Sequence, residues 1–560
     1  MAVCIESDTL IPIDEPFKVS AGPGAGKTHW LICHLRNVMS HSKKLGAIRK
    51  IACITYTNVG TDTIVKRLDA KSDTVEVSTI HAFLYANVVG PYIRHLADEL
   101  GLNVDDMVIV DDTNFHTIGV AQEILKENKL LWRISPDCYL AGLKDTARWF
   151  FDGRKYTAFK PSHPHKSKDE KGAYNIANKN YLLFKAWMWE KGYVSFDDIL
   201  YFSSLIFDKY PHVLNILAGK YPYFYIDEFQ DTIPFVANIV GEMGRRGSIV
   251  GVVGDKAQSI YEFIGASAEQ FDRFSVDGMK EYEIHGNRRS TKEIIDLLNA
   301  IRTDFKQDHL SGEYGMKPVL LVGEKLSCYQ KCLEICGSDN VQSLAFPNII
   351  ANSMRTKNGS TIDRRILEED FDHNQVRSII IKSLIKALEF ARMNDLKSAW
   401  HELDIIDQDR TVTISLLRKM LNSYGKLFEG TLYDFYIFVK NELGIFDAIP
   451  KLVKGDIKSF YENTPYKDVA LSVKGADSET KHKTIHKSKG EEFNNVFVVL
   501  GAEKDLSFIT KPDLVGNNTH RVYYVGVSRA KKSLFINVPS LSEETRAMLD
   551  EIPINIEVVA

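Results

Sequence analysis

The chain has no run of 18 apolar residues, and its first twenty residues hold acids and prolines instead of a cationic stretch followed by an apolar one. We therefore expect neither a membrane span nor a secretory signal. The seven cysteines include no CxxC pair, which is typical of a chain kept in a reducing compartment. Together these absences predict a cytoplasmic protein.

Excess positive charge is also missing, since the formal net charge is −4 at pH 7. Binding to nucleic acid would therefore have to use local basic surfaces. Two segments are basic enough, residues 154–171 and residues 481–489. For the first, a solvated loop is the simpler interpretation.

Three cysteines recur at helical spacing. Cys328, Cys332 and Cys336 fall at i, i+4 and i+8, which places them along one stripe of a helix. Three thiols could ligate a metal, but no fourth ligand is evident nearby in the sequence. The spacing therefore favours a buried helix face.

A glycine-rich segment is the most informative feature that is present. Residues 21–28 read AGPGAGKT, between a strand-like run (residues 17–20) and a helical one (residues 30–35). Glycines allow successive backbone N–H groups to surround phosphate oxygens. Lys27 can then reach the β- and γ-phosphates, and the Thr28 hydroxyl can hold Mg²⁺. The predicted nucleotide-binding residues of this loop are Gly22, Gly24, Ala25, Gly26, Lys27, Thr28 and His29.

A second segment supplies the acids that such a loop needs. Residues 225–232 read YIDEFQDT, and Asp227 follows an apolar, aromatic run that predicts a buried strand. A carboxylate at the end of that strand suits a second Mg²⁺ contact, so the predicted metal ligands are Thr28 and Asp227. Glu228 is placed to orient or deprotonate an attacking water. The two segments together predict hydrolysis of a nucleoside triphosphate.

Alternation of strands and helices indicates parallel α/β sheets with sites at the carboxyl ends of the strands. At 560 residues, the chain is expected to form two to four domains. The pattern predicts two α/β lobes, each interrupted by a mainly helical insertion. Strands are predicted at residues 17–20, 50–55, 223–227, 248–254, 469–473 and 495–500, and residues 75–85 form a strand-like run that enters a helix. Helices are predicted at 326–336, 376–395 and 412–446.

In this order, the segments resemble the motifs of the UvrD/Rep branch of superfamily 1 helicases. The likeness rests on AGPGAGKT (motif I), TYTN at 55–58 (Ia), TIHAF at 79–83, YIDEFQDT (II), GDKAQSIYEFIGA at 254–266 (III), NRRS at 287–290 (IV), TIHKSKGEEF at 484–493 (V) and YYVGVSRAKK at 523–532 (VI). It covers nearly all of both lobes. The resemblance implies RecA-like lobes at 1–85 with 190–280 and at 281–324 with 468–560, and helical insertions at 86–189 (1B) and 325–467 (2B-like).

The resemblance also implies an activity and its site residues. A family member would be an ATP-dependent single-stranded DNA translocase or helicase moving 3′ to 5′, using ATP and Mg²⁺ in a cleft between the lobes. The implied catalytic residues are Glu228, Gln258, Arg289 and Arg529, and Gln258, Asp255 and Gln230 match the positions that sense phosphate, metal and water. Arg288 and Glu492 would contact the nucleotide. The implied DNA contacts are Tyr56, Thr57, Asn58, Thr79, His81, Tyr261, Phe263 and His486.

Three departures from the family pattern affect these expectations. No glutamine occurs before Gln122, so the adenine-reading glutamine upstream of the loop is missing. Arg288 stands where an aromatic residue usually stacks on the base, although a guanidinium plane can stack too. Glu491 places an acid near the expected DNA path. Base discrimination and translocation are therefore less well specified than ATP hydrolysis.

A rival interpretation assigns the chain to a different functional class. Short UvrD-like chains are similar to the helicase-like subunit of Gabija-type anti-phage systems, which works beside a nuclease. On that interpretation the ATPase is gated by DNA or nucleotide and controls a partner, with little unwinding of its own. The last thirty residues show no nuclease constellation, so cleavage would need another chain.

Overall fold

Runs of apolar, β-branched and aromatic residues form two parallel sheets, each in its own compact unit. The computed structural model describes residues 2–559 except 69–72, 147, 159–167, 263–264, 267, 338–339, 357–366, 368–371, 373, 394, 404–408, 445–448, 454 and 474–480. The units are Met1–Gly286 and Asn287–Ala560, here unit 1 and unit 2.

Unit 1 is built on a seven-stranded sheet whose strand order is β1-β11-β2-β10-β9-β3-β4. Every neighbouring pair is parallel. The strands of unit 1, including four short ones outside this sheet, are β1 (Val3–Cys4), β2 (Phe17–Ala21), β3 (Ile51–Thr55), β4 (Val75–Thr79), β5 (Val108–Ile109), β6 (Trp149–Phe151), β7 (Tyr156–Ala158), β8 (Tyr193–Val194), β9 (Tyr223–Ile226), β10 (Ile249–Gly254) and β11 (Lys280–Ile284). All residues of β9 and β10 are buried, as expected for central parallel strands covered on both faces.

Helices cover the sheet and form most of the segment between β4 and β9. They are α1 (Lys27–His41), α2 (Asn58–Leu68), α3 (Ile80–Leu84), α4 (Gly90–Tyr92), α5 (Ala97–Leu100), α6 (Ile118–Glu127), α7 (Pro136–Thr146), α8 (Lys168–Glu190), α9 (Phe196–Lys209), α10 (His212–Lys220), α11 (Pro234–Arg245) and α12 (Ala268–Arg273). One apolar cluster joins rings of α8 and α9 to the face of β9 through Phe224 and Ile226. The inserted helices are therefore packed onto the sheet.

The end of unit 1 differs from the predicted lobe boundary after residue 280. Strand β11 pairs in parallel with β2, from Lys280 opposite Phe17 to Ile284 opposite Ala21. Since β11 belongs to the first sheet, unit 1 extends to Gly286.

Unit 2 is built on a six-stranded sheet of order β16-β15-β17-β18-β14-β19, again with parallel neighbours throughout. Its strands, together with the small β12–β13 ladder at its start, are β12 (Gly286–Asn287), β13 (Asp308–His309), β14 (Val319–Val322), β15 (Val341–Ala345), β16 (His482–Thr484), β17 (Phe493–Val499), β18 (Ala530–Val538) and β19 (Asn555–Val558). Its helices are α13 (Lys292–Ile301), α14 (Lys325–Cys336), α15 (Asn348–Thr356), α16 (Gln375–Arg392), α17 (Leu396–Leu403), α18 (Arg410–Asn422), α19 (Tyr424–Glu429), α20 (Leu432–Glu442), α21 (Asp456–Asn463), α22 (Tyr466–Ala470), α23 (Ser507–Thr510), α24 (Asn518–Val527) and α25 (Glu543–Leu549). The predicted fold class, α/β with parallel sheets, is confirmed.

The second insertion begins later than predicted. Residues 325–356 were expected to belong to it, but β15 lies between β16 and β17 in the sheet. The separate helical cluster runs from α16 to α22, with Leu384, Leu388 and Phe435 in its core. The strand predicted at 469–473 is also wrong, because α22 and a following turn occupy that segment.

Three other expectations can be compared with the structure. Cys328 and Cys332 are fully buried on α14, so the cysteine stripe is a helix face, and burial raises the pKa of Cys328 to about 11. All seven cysteines lie among the described residues and carry free thiols. None of the described helices has the length and apolar character needed to cross a membrane.

Only the second of the two basic segments lies entirely within the described residues. Much of the first, residues 159–167, lies outside the described residues. In the second, Lys483 and Lys489 are buried, with exposed fractions of 7% and 8%, whereas Lys481 and Lys487 are exposed. The basic surface of residues 481–489 is therefore smaller than the sequence suggests.

Candidate functional site

The glycine-rich loop follows β2 and leads directly into α1. Gly24 and Gly26 have φ angles of 73° and 83°, in the left-handed region that favours glycine. A Cβ atom on Gly26 would lie 3.2 Å from the Cβ atom of Ser7. Lys27 begins the helix, and its Nζ donates a hydrogen bond to the Ala21 carbonyl at 3.2 Å. The loop therefore has the backbone shape and the cation of a phosphate-binding loop.

The predicted motifs of unit 1 lie side by side because their strands are neighbours in register. Ser20 of β2 pairs with Gly254 of β10. Further along the sheet, Ile226 of β9 pairs with Val252 of β10 and with Ile54 of β3. Since all these strands are parallel, the segments that follow them emerge at one edge of the sheet. The phosphate loop, motif III, motif II and motif Ia meet there.

A buried hydrogen-bond network joins motif II to motif III. The Gln230 side chain donates to the Glu228 carboxylate and accepts from the backbone N–H of Asp255 at 2.9 Å. Gln258 donates to the Asp255 carboxylate at 2.7 Å. Asp227, Gln230, Asp255 and Gln258 are all at most 5% exposed. These amide side chains therefore fix the acids of two strand ends relative to each other.

Two backbone features make this network possible. Glu228 has a φ angle of 55°, and only one other described residue besides glycine has a positive φ. Such conformations cost free energy and are concentrated at functional sites. Gly254 allows the close approach of motif II, because a Cβ atom there would lie 2.5 Å from Oε1 of Gln230. The position of the Glu228 carboxylate is thus set by local backbone geometry.

Two tyrosines predicted to contact DNA lie against each other. The rings of Tyr56 and Tyr261 are 4.8 Å apart between centroids, with 32° between their planes. Both side chains are half-buried. Phe263, predicted to stack with them, lies outside the described residues.

The small polar residues predicted to contact DNA surround two helix starts. The Thr57 hydroxyl accepts a hydrogen bond from the Gly60 N–H at 3.1 Å, near the first residue of α2, Asn58, which is exposed. The Thr79 hydroxyl caps α3 by accepting from the Ala82 N–H at 3.4 Å. Both hydroxyl groups therefore have local structural roles.

His81 lines a cavity of about 520 Å³ within unit 1. Its ring meets that of Phe196 edge to face, with centroids 5.8 Å apart. Burial lowers the pKa of His81 to about 4, so the ring is neutral at pH 7. The side chains that line the cavity include Tyr56, Ile80, Arg148, Trp149, Phe150, Phe196 and Asp197. A contact through His81 would therefore be made by a neutral ring.

In unit 2, two basic residues converge on one glutamate of motif V. Arg289 donates to the Glu492 carboxylate at 2.5 Å and to the Ser528 carbonyl at 3.2 Å. Lys531 lies 3.0 Å from the same carboxylate. Burial opposes the ionisation of Glu492, but Arg289 and Lys531 outweigh it, so its pKa is lowered. Glu492 therefore carries a negative charge that holds Arg289 in place.

Arg529 is held beside this cluster by backbone groups. It is 3% exposed, its Nε donates to the Val525 carbonyl at 3.1 Å, and its guanidinium also donates to Ser528 Oγ. Its own carbonyl accepts from the Phe493 N–H, which places it beside motif V. The structure thus brings Arg289, Glu492 and Arg529 together.

The side chains of Glu491 and His486 contact residues outside that cluster. The Glu491 carboxylate is 2.9 Å from Lys483 Nζ, so the acid that departs from the family pattern is paired. His486 follows β16, and its ring centroid is 5.6 Å from that of Phe346. Arg288 is exposed.

Sequence reasoning missed three residues of these sites, Phe196, Lys483 and Lys531. Phe196 is 57% exposed and meets His81 from the first turn of α9, more than one hundred positions away. The two lysines pair with Glu491 and Glu492. Only an alternating charge pattern around motif V and motif VI could have pointed to the lysines.

Comparisons with known proteins agree with this arrangement. The family model for the UvrD/REP helicase N-terminal domain matches residues 6–278, and that for the UvrD-like helicase C-terminal domain matches residues 360–540. Together the two matched regions cover most of the chain.

Individual relatives are similar at lower identity. The Gabija protein GajB of Bacillus cereus is 28% identical over 330 residues, which cover 51% of this chain and 46% of GajB. The ATP-dependent DNA helicase PcrA of Bacillus subtilis is 25% identical over 305 residues, 53% of this chain and 39% of PcrA. PcrA of Staphylococcus epidermidis is 22% identical over 477 residues, 82% of this chain and 62% of PcrA. In each case the match spans less than two thirds of the relative's length.

Proposed function

Because this chain belongs to the UvrD/REP helicase family, we propose that it is an ATP-dependent translocase or helicase that moves 3′ to 5′ along single-stranded DNA. One observation carries the proposal furthest. The phosphate loop, the buried carboxylates and the tyrosine pair all emerge from one edge of the unit 1 sheet. A nucleotide site and an aromatic surface therefore share the same strand ends.

Nucleotide binding begins at the phosphate loop. Its left-handed glycines direct backbone N–H groups towards an anion, and the start of α1 adds the positive end of a helix dipole. Lys27 supplies a cation for the β- and γ-phosphates. The hydroxyl of Thr28 and the buried carboxylate of Asp227 are the hard oxygen ligands that Mg²⁺ prefers. When bound, Mg²⁺ would neutralise charge on the phosphate oxygens.

Hydrolysis then depends on where protein groups hold a water molecule. Glu228 follows Asp227 directly, and its carboxylate accepts a hydrogen bond from Gln230. That bond orients the carboxylate that accepts a proton from the attacking water. Gln230 also accepts from the Asp255 N–H, so a change at motif III is transmitted to Glu228 through one side chain.

Arg289 and Arg529 are proposed to stabilise charge on the transferred phosphoryl group, as their motif positions imply. Arginine suits this role because it stays charged and presents a rigid fork of donors. Glu492 neutralises part of the charge of Arg289 and fixes its direction at 2.5 Å. We assign to Glu492 the positioning of Arg289, in addition to the sugar contact that the resemblance implies.

DNA is proposed to bind unit 1 by stacking. The pair Tyr56–Tyr261 and the exposed ring of Phe196 beside His81 offer flat apolar surfaces. Base stacking on aromatic side chains is tolerant of sequence, as translocation requires. The N–H groups at the start of α2, beside Asn58, are proposed to contact phosphate oxygens.

A second candidate function is favoured by one comparison. Similarity to the Gabija protein GajB supports a regulatory ATPase that acts with a nuclease partner in antiviral defence. The site residues would be the same, but nucleotide turnover would control the partner and unwinding would be slight. The two proposals differ in what the chain does alone.

Strand displacement by the purified chain separates these proposals. We expect ATP-dependent release of a labelled strand from a duplex with a 3′ single-stranded tail, and little release from one with a 5′ tail. Glu228→Gln, which should retain binding and lose proton acceptance, is the matched control that must abolish release. Turnover of ATP without strand release on either substrate would favour the regulatory ATPase. Release only from the 5′-tailed duplex would overturn the proposed direction.

A further inference from the structure

Three different metal-binding side chains meet at the start of α1. Asp8 Oδ1 lies 2.7 Å from His29 Nε2, and His29 Nε2 lies 3.6 Å from Cys33 Sγ. All three donor atoms are within 4.8 Å of one another. Asp8 and His29 are exposed and Cys33 is half-buried, so an ion can reach the group from solvent.

Helix geometry and the N-terminal segment bring these donors together. His29 and Cys33 are four residues apart on α1, so their side chains lie on one face of the helix. The segment that carries Asp8 is fixed on the same helix, because Trp30 Nε1 donates to the Thr9 carbonyl at 3.0 Å. Ser7 is 2% exposed and lies against Gly26. The contacts of Ser7 and Thr9 therefore hold Asp8, which lies between them, close to α1.

The donor set selects a class of metal. Imidazole nitrogen, thiolate sulfur and carboxylate oxygen are the ligands of Zn²⁺, and three protein ligands with one open position form a common zinc arrangement. Bond lengths of about 2.0–2.3 Å in a tetrahedral site separate neighbouring donors by roughly 3.3–3.8 Å. The three atoms are close to that spacing and would need to move by only about 1 Å. Mg²⁺ is disfavoured because it prefers oxygen ligands.

We propose that Asp8, His29 and Cys33 form a binding site for Zn²⁺ or a related divalent transition metal, with water in the fourth position. Binding replaces the thiol proton of Cys33 by the metal and releases that proton to solvent. The ion would tie the N-terminal segment to the helix that begins with Lys27 and Thr28. This site is separate from the Mg²⁺ ligands proposed above, Thr28 and Asp227.

Cobalt substitution tests the site directly, because Co²⁺ bound to a thiolate absorbs in the near ultraviolet. The full chain, freed of metal by a chelator, is titrated with Co²⁺ in excess Mg²⁺, which occupies oxygen sites without displacing a thiolate-bound ion. We expect a band that saturates near one equivalent and disappears on addition of Zn²⁺. Cys33→Ser should remove it, and His29→Ala should weaken Co²⁺ binding by more than about 10-fold.

Matched controls make the outcome decisive. Cys138→Ser changes an exposed cysteine outside the proposed site and should leave the band intact. Lys27→Ala should also leave it intact, so failure of the nucleotide proposal and failure of the metal proposal are distinguishable. Cys33→Ser replaces a half-buried side chain, and an unchanged far-ultraviolet circular dichroism spectrum would show that it folds. A wild-type protein without the band, or a band that survives Cys33→Ser, would overturn the proposal.

Discussion

The two units place their candidate residues at opposite ends of their strands. In unit 1 the phosphate loop, Asp227 and Asp255 follow the carboxyl ends of β2, β9 and β10. In unit 2 Glu492 and Arg529 immediately precede the amino ends of β17 and β18. Parallel α/β sheets usually bind ligands at the carboxyl ends of their strands, so unit 1 follows that rule and the arginine cluster of unit 2 does not.

The groups also differ in how they are held. Unit 1 fixes acids with neutral amide side chains, since Gln230 donates to Glu228 and Gln258 donates to Asp255. Unit 2 fixes cations with a carboxylate, since Glu492 contacts both Arg289 and Lys531. On the proposed function, this difference corresponds to two separate roles, in which unit 1 binds phosphate and positions water and unit 2 supplies positive charge. Substitutions in either unit test the two roles separately.

The largest effect is expected from the phosphate loop. Lys27→Ala removes the loop's cation for the β- and γ-phosphates, so ATP turnover should fall to background. Steady-state ATPase rates with and without single-stranded DNA measure this. Lys43→Ala, at an exposed lysine beyond the end of α1, is the control and should be unchanged. Wild-type-like turnover in Lys27→Ala would refute the nucleotide site of unit 1.

Loss of a unit 2 arginine should be nearly as severe but should leave binding intact. We expect Arg529→Ala to lower DNA-stimulated turnover by about 10³-fold, the order of effect of an arginine that stabilises a transferring phosphoryl group. Fluorescence anisotropy with a labelled oligonucleotide should still detect DNA binding. Lys511→Ala, at an exposed lysine, is the control. If Arg529→Ala loses DNA binding and turnover in parallel, its role is structural and not electrostatic.

We expect acid to change the stability of the two units differently, because the core of unit 1 contains His34. It is 1% exposed between Phe17, Trp30 and Tyr225, both ring nitrogens lack hydrogen-bond partners, and burial lowers its pKa to about 4. Below pH 6.5 the unfolded chain binds a proton that the folded state takes up only near pH 4. The stability due to the neutral ring is therefore present above pH 6.5 and is lost as the pH falls towards 4.

The free energy of unfolding is measured by urea denaturation at pH 7 and at pH 5, and its loss between the two pH values is compared. The full pKa shift of His34 corresponds to up to about 3 kcal/mol in the free energy of unfolding. Only part of that loss falls between pH 7 and pH 5. His34→Phe should reduce the loss, because the variant has no ring to protonate. An equal loss in His34→Phe and wild type would show that other groups carry the acid sensitivity of unit 1.

The smallest effect should distinguish the neighbouring glutamates of motif V. Glu492→Gln removes the charge that holds Arg289, and we expect turnover to fall about 10-fold, equivalent to about 1.4 kcal/mol. Glu491→Gln breaks only the pair with Lys483 and should change turnover less than about 3-fold. The two variants are assayed at saturating ATP and DNA. A larger loss from Glu491→Gln than from Glu492→Gln would contradict the positioning role of Glu492.

The sequence was most informative where motif and strand pattern coincide. The strands before the phosphate loop and Asp227 are apolar and continuous, as buried parallel strands usually are, and both were predicted. β15 reads VQSLA, and its buried Gln342 and Ser343 hid a strand inside the predicted insertion. The apolar run at 469–473 was assigned to a strand because a short buried helix gives the same pattern.

Pairing between distant residues could not be predicted from linear spacing. The motif positions pointed to Arg289 and Glu492 individually, but their contact at 2.5 Å joins residues about two hundred positions apart. Glu491 pairs with Lys483, only eight positions away, and this pair neutralises an acid that the sequence placed near DNA. The residue types of each site could thus be predicted from the sequence, whereas the side chains that pair with them depend on tertiary structure.

The coupling of nucleotide turnover to DNA is the central claim, and stimulation of the ATPase by single-stranded DNA tests it most directly. The rate is measured against oligo-dT concentration at one fixed salt concentration, because phosphate contacts make DNA affinity salt-dependent. We expect wild-type turnover to rise and saturate. Tyr261→Ala should need more DNA for half-maximal stimulation, since one base stack contributes about 1–3 kcal/mol. ATP hydrolysis that is indifferent to single-stranded DNA would contradict the translocase proposal and favour the regulatory ATPase.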